Sequence, residues 1–226
     1  MRNLWRKLTF WLDRKPSKVP FSTRAIAYAI DCALGGIICG LPAVAIYGMV
    51  TKRSDMFSDL YVFAALGFEK WWGYVAGILC LIAGVIYLVY VPYKVYPGQT
   101  LGKHIMKLKI VRIDWQPLDV KTLVLRHVVG LLLVESVAVV VARYYRQIIV
   151  LLTMSSIGIY ADYFLSAIGA FFTMISGSMV YSTPSRRAIH DYIAHTMVVD
   201  VDEKPPVKKR ENVRINIKKH KIANFL

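Results

Sequence analysis

Residues 71–93 read WWGYVAGILCLIAGVIYLVYVPY, 23 residues without a single charge. A helix needs about 20 apolar residues to cross a bilayer core, so this stretch predicts a transmembrane helix. Three more apolar runs flank it: Ala25–Val50, Leu123–Ala142 and Tyr163–Pro184, the last also free of charge. With 56% hydrophobic residues over 226 positions, the pattern predicts an all-α transmembrane fold with about four spanning helices. A soluble domain would spread its charges through its helices instead.

The charges lie between the runs. Twenty-three of the 29 lysines and arginines fall in Met1–Arg24, Lys94–Lys121, Ser185–Arg187 and Val201–Leu226. Cytoplasmic flanks retain Lys and Arg, so the expected location is the cell membrane, multi-pass, with both termini cytoplasmic. The loop Thr51–Lys70 balances Lys52, Arg53 and Lys70 against Asp55, Asp59 and Glu69, as an outer loop should. The net charge of +15 sits beside spans. It therefore points to anionic lipid headgroups as partners and not to nucleic acid.

The chain divides into a basic amphipathic segment (1–19), a transmembrane domain (20–201) and a basic tail (202–226). In the first, Leu4, Trp5, Leu8, Trp11 and Leu12 recur at helical spacing opposite Arg2, Arg6, Lys7 and Arg14. That is the pattern of an interfacial helix. Ala43-Val44-Ala45 resembles a signal-peptidase site, but Asp31 in the preceding run argues against cleavage. Cys32, Cys39 and Cys80 read as packing residues, with no metal-ligand spacing. No cofactor is expected. Leu108, Ile110 and Ile113 alternate with Lys107, Lys109 and Arg112, and Thr196–Val201 is equally strand-like. Both follow spans on the same side, so a small cytoplasmic two-stranded pairing is expected.

The third run is ambiguous. Leu123–Ala142 carries Arg126, His127 and Glu135, and a shorter apolar run, Gln147–Tyr160, follows. Either Leu123–Ala142 is the crossing, with Arg143 and Arg146 on the outer side, or Val120–Ala142 is an inner-leaflet helix and Gln147–Tyr160 forms part of the crossing. Small residues at Ala29, Ala33, Gly36, Gly40 and Ala43, and at Ser166, Ala170, Thr173 and Gly177, predict two helix contact faces.

Charged side chains inside spans are costly unless partnered. Asp31 is one. Arg24 stands two helical turns earlier on the same face, and Arg126 has a similar depth, so both are candidate partners. Glu135 lies mid-run with no evident cation. This set reads either as a structural clamp or as an ion or proton site.

Arg24 with Asp31 in a first span, Gln99-Thr100-Leu101-Gly102-Lys103 after a second, an arginine opening a third, and Ile189-His190-Asp191 followed by Thr196 and Val198-Val199 together resemble the RDD family. The resemblance runs from about Pro20 to Val201; the Arg143–Tyr160 stretch departs from the family pattern. The family's arginine and two aspartates map to Arg24, Asp31 and Asp191. The resemblance implies a bacterial multipass membrane protein. For its members it implies either transport, including cation/proton antiport, or an accessory role in a membrane complex. Gly98, Thr100, Gly102, Lys103 and His190 form an inner-face motif, in which Asp191 is expected to accept from Arg186, Arg187 or Lys103. No phosphate loop or nucleophile elbow is present, so no enzymatic activity is expected. Four spans enclose little volume, so transport points to a homo-oligomer or a membrane-protein partner.

Overall fold

The computed structural model describes residues 15–135, 140–153 and 156–205; the segment 4–12, where an interfacial helix is expected, and nearly all of the basic tail lie outside the described residues. Three helices are long and apolar enough to cross a membrane: Phe21–Thr51, Trp71–Val95 and Tyr160–Ser182. The first, α1 (Phe21–Thr51), starts after Pro20, whose fixed φ suits a helix entry. It ends at left-handed Lys52, which donates to the Gly48 carbonyl. After α2 (Val62–Ala65) comes α3 (Trp71–Val85). The helix then continues as a π-helix over Ile86–Val95, around Pro92. The last span belongs to α7 (Ser156–Ser182).

The third crossing is built from two shorter pieces. α5 (Val120–Val124) runs into a second π-helix, Leu125–Val134, and α6 (Val141–Thr153) follows. Val141, Ile148 and Leu151 of α6 pack on Gly84, Gly77 and Gly73 of α3, so the two helices run antiparallel. A Cβ on Gly77 would stand 2.9 Å from Ile148. Glycine is what lets these backbones approach, as packing rather than hydrophobicity drives association in lipid. The π-helix therefore fills the half near the basic segments, and α6 fills the far half. Leu123–Ala142 therefore does not cross by itself, and the arrangement fits the second sequence reading, in which the Gln147 stretch forms only part of the crossing. Polar contacts divide the chain here. Gln147 binds Asp59 and the Leu60 N–H of the far loop, Arg143 binds Ser58, and Arg146 binds Asp162. Asp59, 3.8 Å from Arg143, and Asp162, 3.0 Å from Arg146, supply counter-charges for the two arginines on the far side.

On the basic side, each of two spans is followed by the same small unit. After α3 come α4 (Leu101–Ile105) and β1 (Leu108–Arg112); after α7 come α8 (Ile189–Ile193) and β2 (Thr196–Asp200). The strands pair antiparallel, with Ile110 opposite Val198, as the sequence predicts. The two units correspond residue by residue at a spacing of 88. Gly98 and Arg186 both have positive φ, and so do Lys107 and His195. Gln99 Nε2 bonds the Leu108 carbonyl at 2.7 Å, and Arg187 Nε bonds the Thr196 carbonyl at 3.0 Å. The flanking backbone bonds, Ile113 N to His195 O and Val201 N to Lys107 O, are likewise equivalent. The molecule is thus a tandem repeat of two helix–span–helix–strand halves, related by an axis through the Ile110–Val198 pair.

Candidate functional site

Each half places an arginine and then a carboxylate on its first span. In α1 these are Arg24 and Asp31, seven residues apart. In the third crossing they are Arg126 and Glu135, nine apart. The π-helix closes i→i+5 bonds and takes more residues per turn, so nine residues there match about the two turns that seven span in an α-helix. Each carboxylate receives the backbone N–H of the equivalent residue in its own half's short helix. Gly102 N donates to Asp31 Oδ1 at 2.7 Å, and His190 N donates to Glu135 Oε1 at 3.1 Å. Each also receives a hydroxyl from its own half's second span: Tyr87 to Asp31 at 2.8 Å, Ser176 to Glu135 at 2.8 Å.

Asp31 is fully engaged. Besides Tyr87 and Gly102, Thr100 Oγ1 donates at 2.5 Å, and Lys103 Nζ sits 3.0 Å from Oδ2. Gly102 packs so closely on Ala27 and Asp31 that a Cβ there would lie 2.9 Å from Asp31 Cγ. The motif therefore needs glycine at this position.

Asp191 has no exposed side-chain surface. Arg126 pairs with Oδ1, Arg24 NH2 lies 2.8 Å from Oδ2, and the Ala188 N–H donates to Oδ2 at 2.9 Å. Thr196 Oγ1 also accepts from Arg126. Burial alone would raise this carboxyl, but the Arg126 and Arg24 guanidiniums hold it well below the usual carboxylate range. One carboxylate thus joins both halves, because the two arginines come from different first spans.

Glu135 differs. It is 3% exposed, and its three hydrogen bonds among the described residues, from Ser176, His190 N and His190 Nδ1 (3.0 Å), converge on Oε1. It lines a cavity of about 240 Å³ between α1 and α7, at the interface of the two halves. Arg24, Tyr28 and Lys103 line it from the first half; Arg126, Ser176, Gly177 and His190 line it from the second. Phe21 and Tyr181 meet edge-on at 5.3 Å where the two spans end.

A model of the RDD family matches residues 18–195, most of the chain. The chain belongs to the RDD family. Neither curated proteins nor solved structures give a match. In this RDD protein the arginine and the two aspartates do not form one cluster. Arg24 pairs with Asp191, and Asp31 pairs with Lys103. The expected pairing of Asp31 with Arg24 or Arg126 is therefore corrected. Arg24 and Asp31 share a helix face, but that face meets two different short helices: Arg24 pairs with α8 and Asp31 with α4. The expected donors to Asp191 are corrected too. Arg186 reaches the Val19 carbonyl, and Arg187 bonds the Thr196 and Asp191 backbone carbonyls.

Glu135, expected to lack a cation, has His190 beside it. The small-residue row of the last span shifts by one: Gly169, Ser176 and Met179 are buried, while Gly177 faces open space. In α1, Gly36, Gly40 and Ala43 do pack, against Val140, Tyr144 and the far-side core; Ala29 and Ala33 are exposed. Gly98 holds its expected turn, with φ of 78° and a carbonyl that accepts from Ile110 N. Sequence reasoning missed Tyr87 and Ser176. Their only signal was a hydroxyl within an otherwise apolar span. Among the described residues, no group of three or more His, Cys, Asp or Glu gathers to hold a metal.

Proposed function

We propose that this RDD protein is a non-enzymatic, proton-linked carrier of a small ion or solute, and that its binding site is the cavity between the two halves. The observation that carries this reading is the unequal use of the carboxylates. Asp31 and Asp191 are saturated by fixed donors, whereas Glu135 borders the cavity with His190 as its titratable neighbour. Internal repeats with a site at their interface are a common architecture of secondary carriers. Arg24, Asp31, Lys103, Arg126 and Asp191 then serve as anchors, and Glu135 and His190 exchange protons. The basic face lies in the cytoplasm, with both termini, in the cell membrane; the tails draw anionic headgroups to it.

The test is an ion- or solute-driven pH change in proteoliposomes holding only this protein. Wild type should give a signal, and Glu135→Gln should fold but give none. A signal that survives Glu135→Gln overturns the reading.

One observation favours a second reading, an accessory subunit of a membrane complex. The last span has only 17% of its apolar window buried, and Tyr163, Phe164, Phe171 and Met174 stand exposed along it. Cysteine pairs placed at Phe164 and Phe171 that cross-link a second membrane protein, together with silent proteoliposomes, would favour that reading.

A further inference from the structure

The cavity has a counterpart that is closed. Tyr87 bonds Asp31 as Ser176 bonds Glu135, so these residues occupy equivalent places in the two halves. The residue after each is Leu88, buried, in one half and Gly177 in the other. A Cβ on Gly177 would meet nothing within 4 Å. The exchange of Tyr-Leu for Ser-Gly leaves room beside the second carboxylate that the first half fills with side chains. One polar atom borders that room without a partner among the described residues. Glu135 accepts all its bonds on Oε1 and none on Oε2.

The rest of the lining is largely apolar, with Phe21, Ala25, Tyr28, Val180 and Val198. Phe21, Tyr28 and Gly177 are exposed, so the cavity opens sideways between two spans whose outer faces are apolar. It lies at the span ends beside the basic face, the depth of lipid headgroups. Three cations, Arg24, Lys103 and Arg126, balance three carboxylates, Asp31, Asp191 and Glu135. A guest with net charge would leave one charge buried without compensation.

We propose that this groove binds a zwitterionic aminophospholipid entering sideways from the bilayer, its ammonium on Glu135 Oε2 and its phosphate beside the cations that line the cavity, Arg24, Lys103 and Arg126. The acyl chains leave between α1 and α7, past Tyr28 and Gly177. The ammonium satisfies the open Oε2, the phosphate cancels its charge, and a primary ammonium keeps the N–H donors that a quaternary one lacks. This rests on the cavity being the binding site of the proposed carrier, and it names what the cavity holds.

The test is native mass spectrometry of the full chain in detergent, titrated separately with dioleoyl phosphatidylethanolamine, phosphatidylcholine and phosphatidylglycerol. Phosphatidylethanolamine should bind on the order of tenfold more tightly than either, the worth of one charge-assisted hydrogen bond. Gly177→Leu copies the closed half. It should abolish that preference while leaving the lipid-free unfolding temperature unchanged. Should Gly177→Leu misfold, Glu135→Gln carries the test: it should bring phosphatidylethanolamine down to the phosphatidylcholine level. Equal binding of all three lipids, tighter binding of phosphatidylglycerol, or selectivity that survives Glu135→Gln overturns the proposal. So does soluble phosphoethanolamine binding as tightly as the lipid. Because binding is read without transport, silent proteoliposomes alongside selective binding would sink the carrier reading and leave the ligand standing.

Discussion

The two halves of the molecule repeat one plan with different chemistry at matching places. In the first half the carboxylate on the span, Asp31, meets a lysine on the short helix, and an aromatic hydroxyl closes over it. In the second, the short helix carries Asp191 at the lysine's place, and the span's carboxylate, Glu135, is left to a histidine and a serine. The exchange of Lys103 for Asp191 has a structural result. A lysine can serve only the carboxylate of its own half, whereas an aspartate recruits an arginine from each half. The first half is therefore locked within itself, and the second locks the halves together while keeping space beside Glu135.

The strongest test of that contrast is Asp191→Asn. It leaves Arg24 and Arg126 buried without their counter-charge, and breaking buried pairs typically costs about 3–5 kcal/mol. Folded yield by size-exclusion chromatography should collapse; near-normal yield would show that Asp191 does not join the halves. Asp31→Asn should cost less, on the order of 1–3 kcal/mol, because Lys103 keeps access to water, with 16% of its side chain exposed. Replacing Lys103 with Gln as well should partly restore the unfolding temperature, and replacing Arg24 or Arg126 should not. Rescue by an arginine change would reinstate the pairing that the contacts contradict. Glu135→Gln preserves an acceptor for Ser176 and His190, so its effect on stability should be about 1 kcal/mol or less.

The finest test uses acid. Asp191 is held below its ordinary value, so the folded state binds fewer protons than the unfolded one. Its contribution is complete above the unfolded value, about 3.9, and is lost only as pH falls through the lowered one. Arg24→Gln removes one of the two cations and should shift the acid-unfolding midpoint upward relative to wild type. An unchanged midpoint would mean that Arg24 does not hold the carboxyl down.

Features that depend on composition along the chain were legible in the sequence. The uncharged runs, the basic segments and the alternation in 108–113 and 196–201 gave the spans and the sheet. The partners of the intramembrane charges were not. Helical periodicity places Arg24 and Asp31 on one face but does not say which short helix each face meets. The repeat was hidden for a physical reason. Its key contacts place backbone groups on one side, so Gly102 can match His190 through backbone N–H donors, and Gln99 can match Arg187 because unlike side chains reach equivalent backbone carbonyls. The π-helix also stretches the arginine-to-carboxylate spacing from seven to nine, which defeats a fixed-offset comparison. The composite crossing was one of two readings open in the sequence, and the choice was illegible because its two pieces are held by polar contacts to segments remote in sequence.

The Arg126–Asp191 bond links residues 65 apart, and this bears on how the chain is made. A ribosome delivers the third crossing, with its arginine, before the last span and before the aspartate that neutralises that arginine. Until residue 191 has been synthesised, the third crossing has no stable place in hydrocarbon, and α6 can do no more than rest on the glycine face of α3. Membrane integration of this protein therefore finishes from its C-terminal side. A ribosome stalled shortly before Asp191 should hold a nascent chain whose third crossing is still open to proteases and to the insertion machinery.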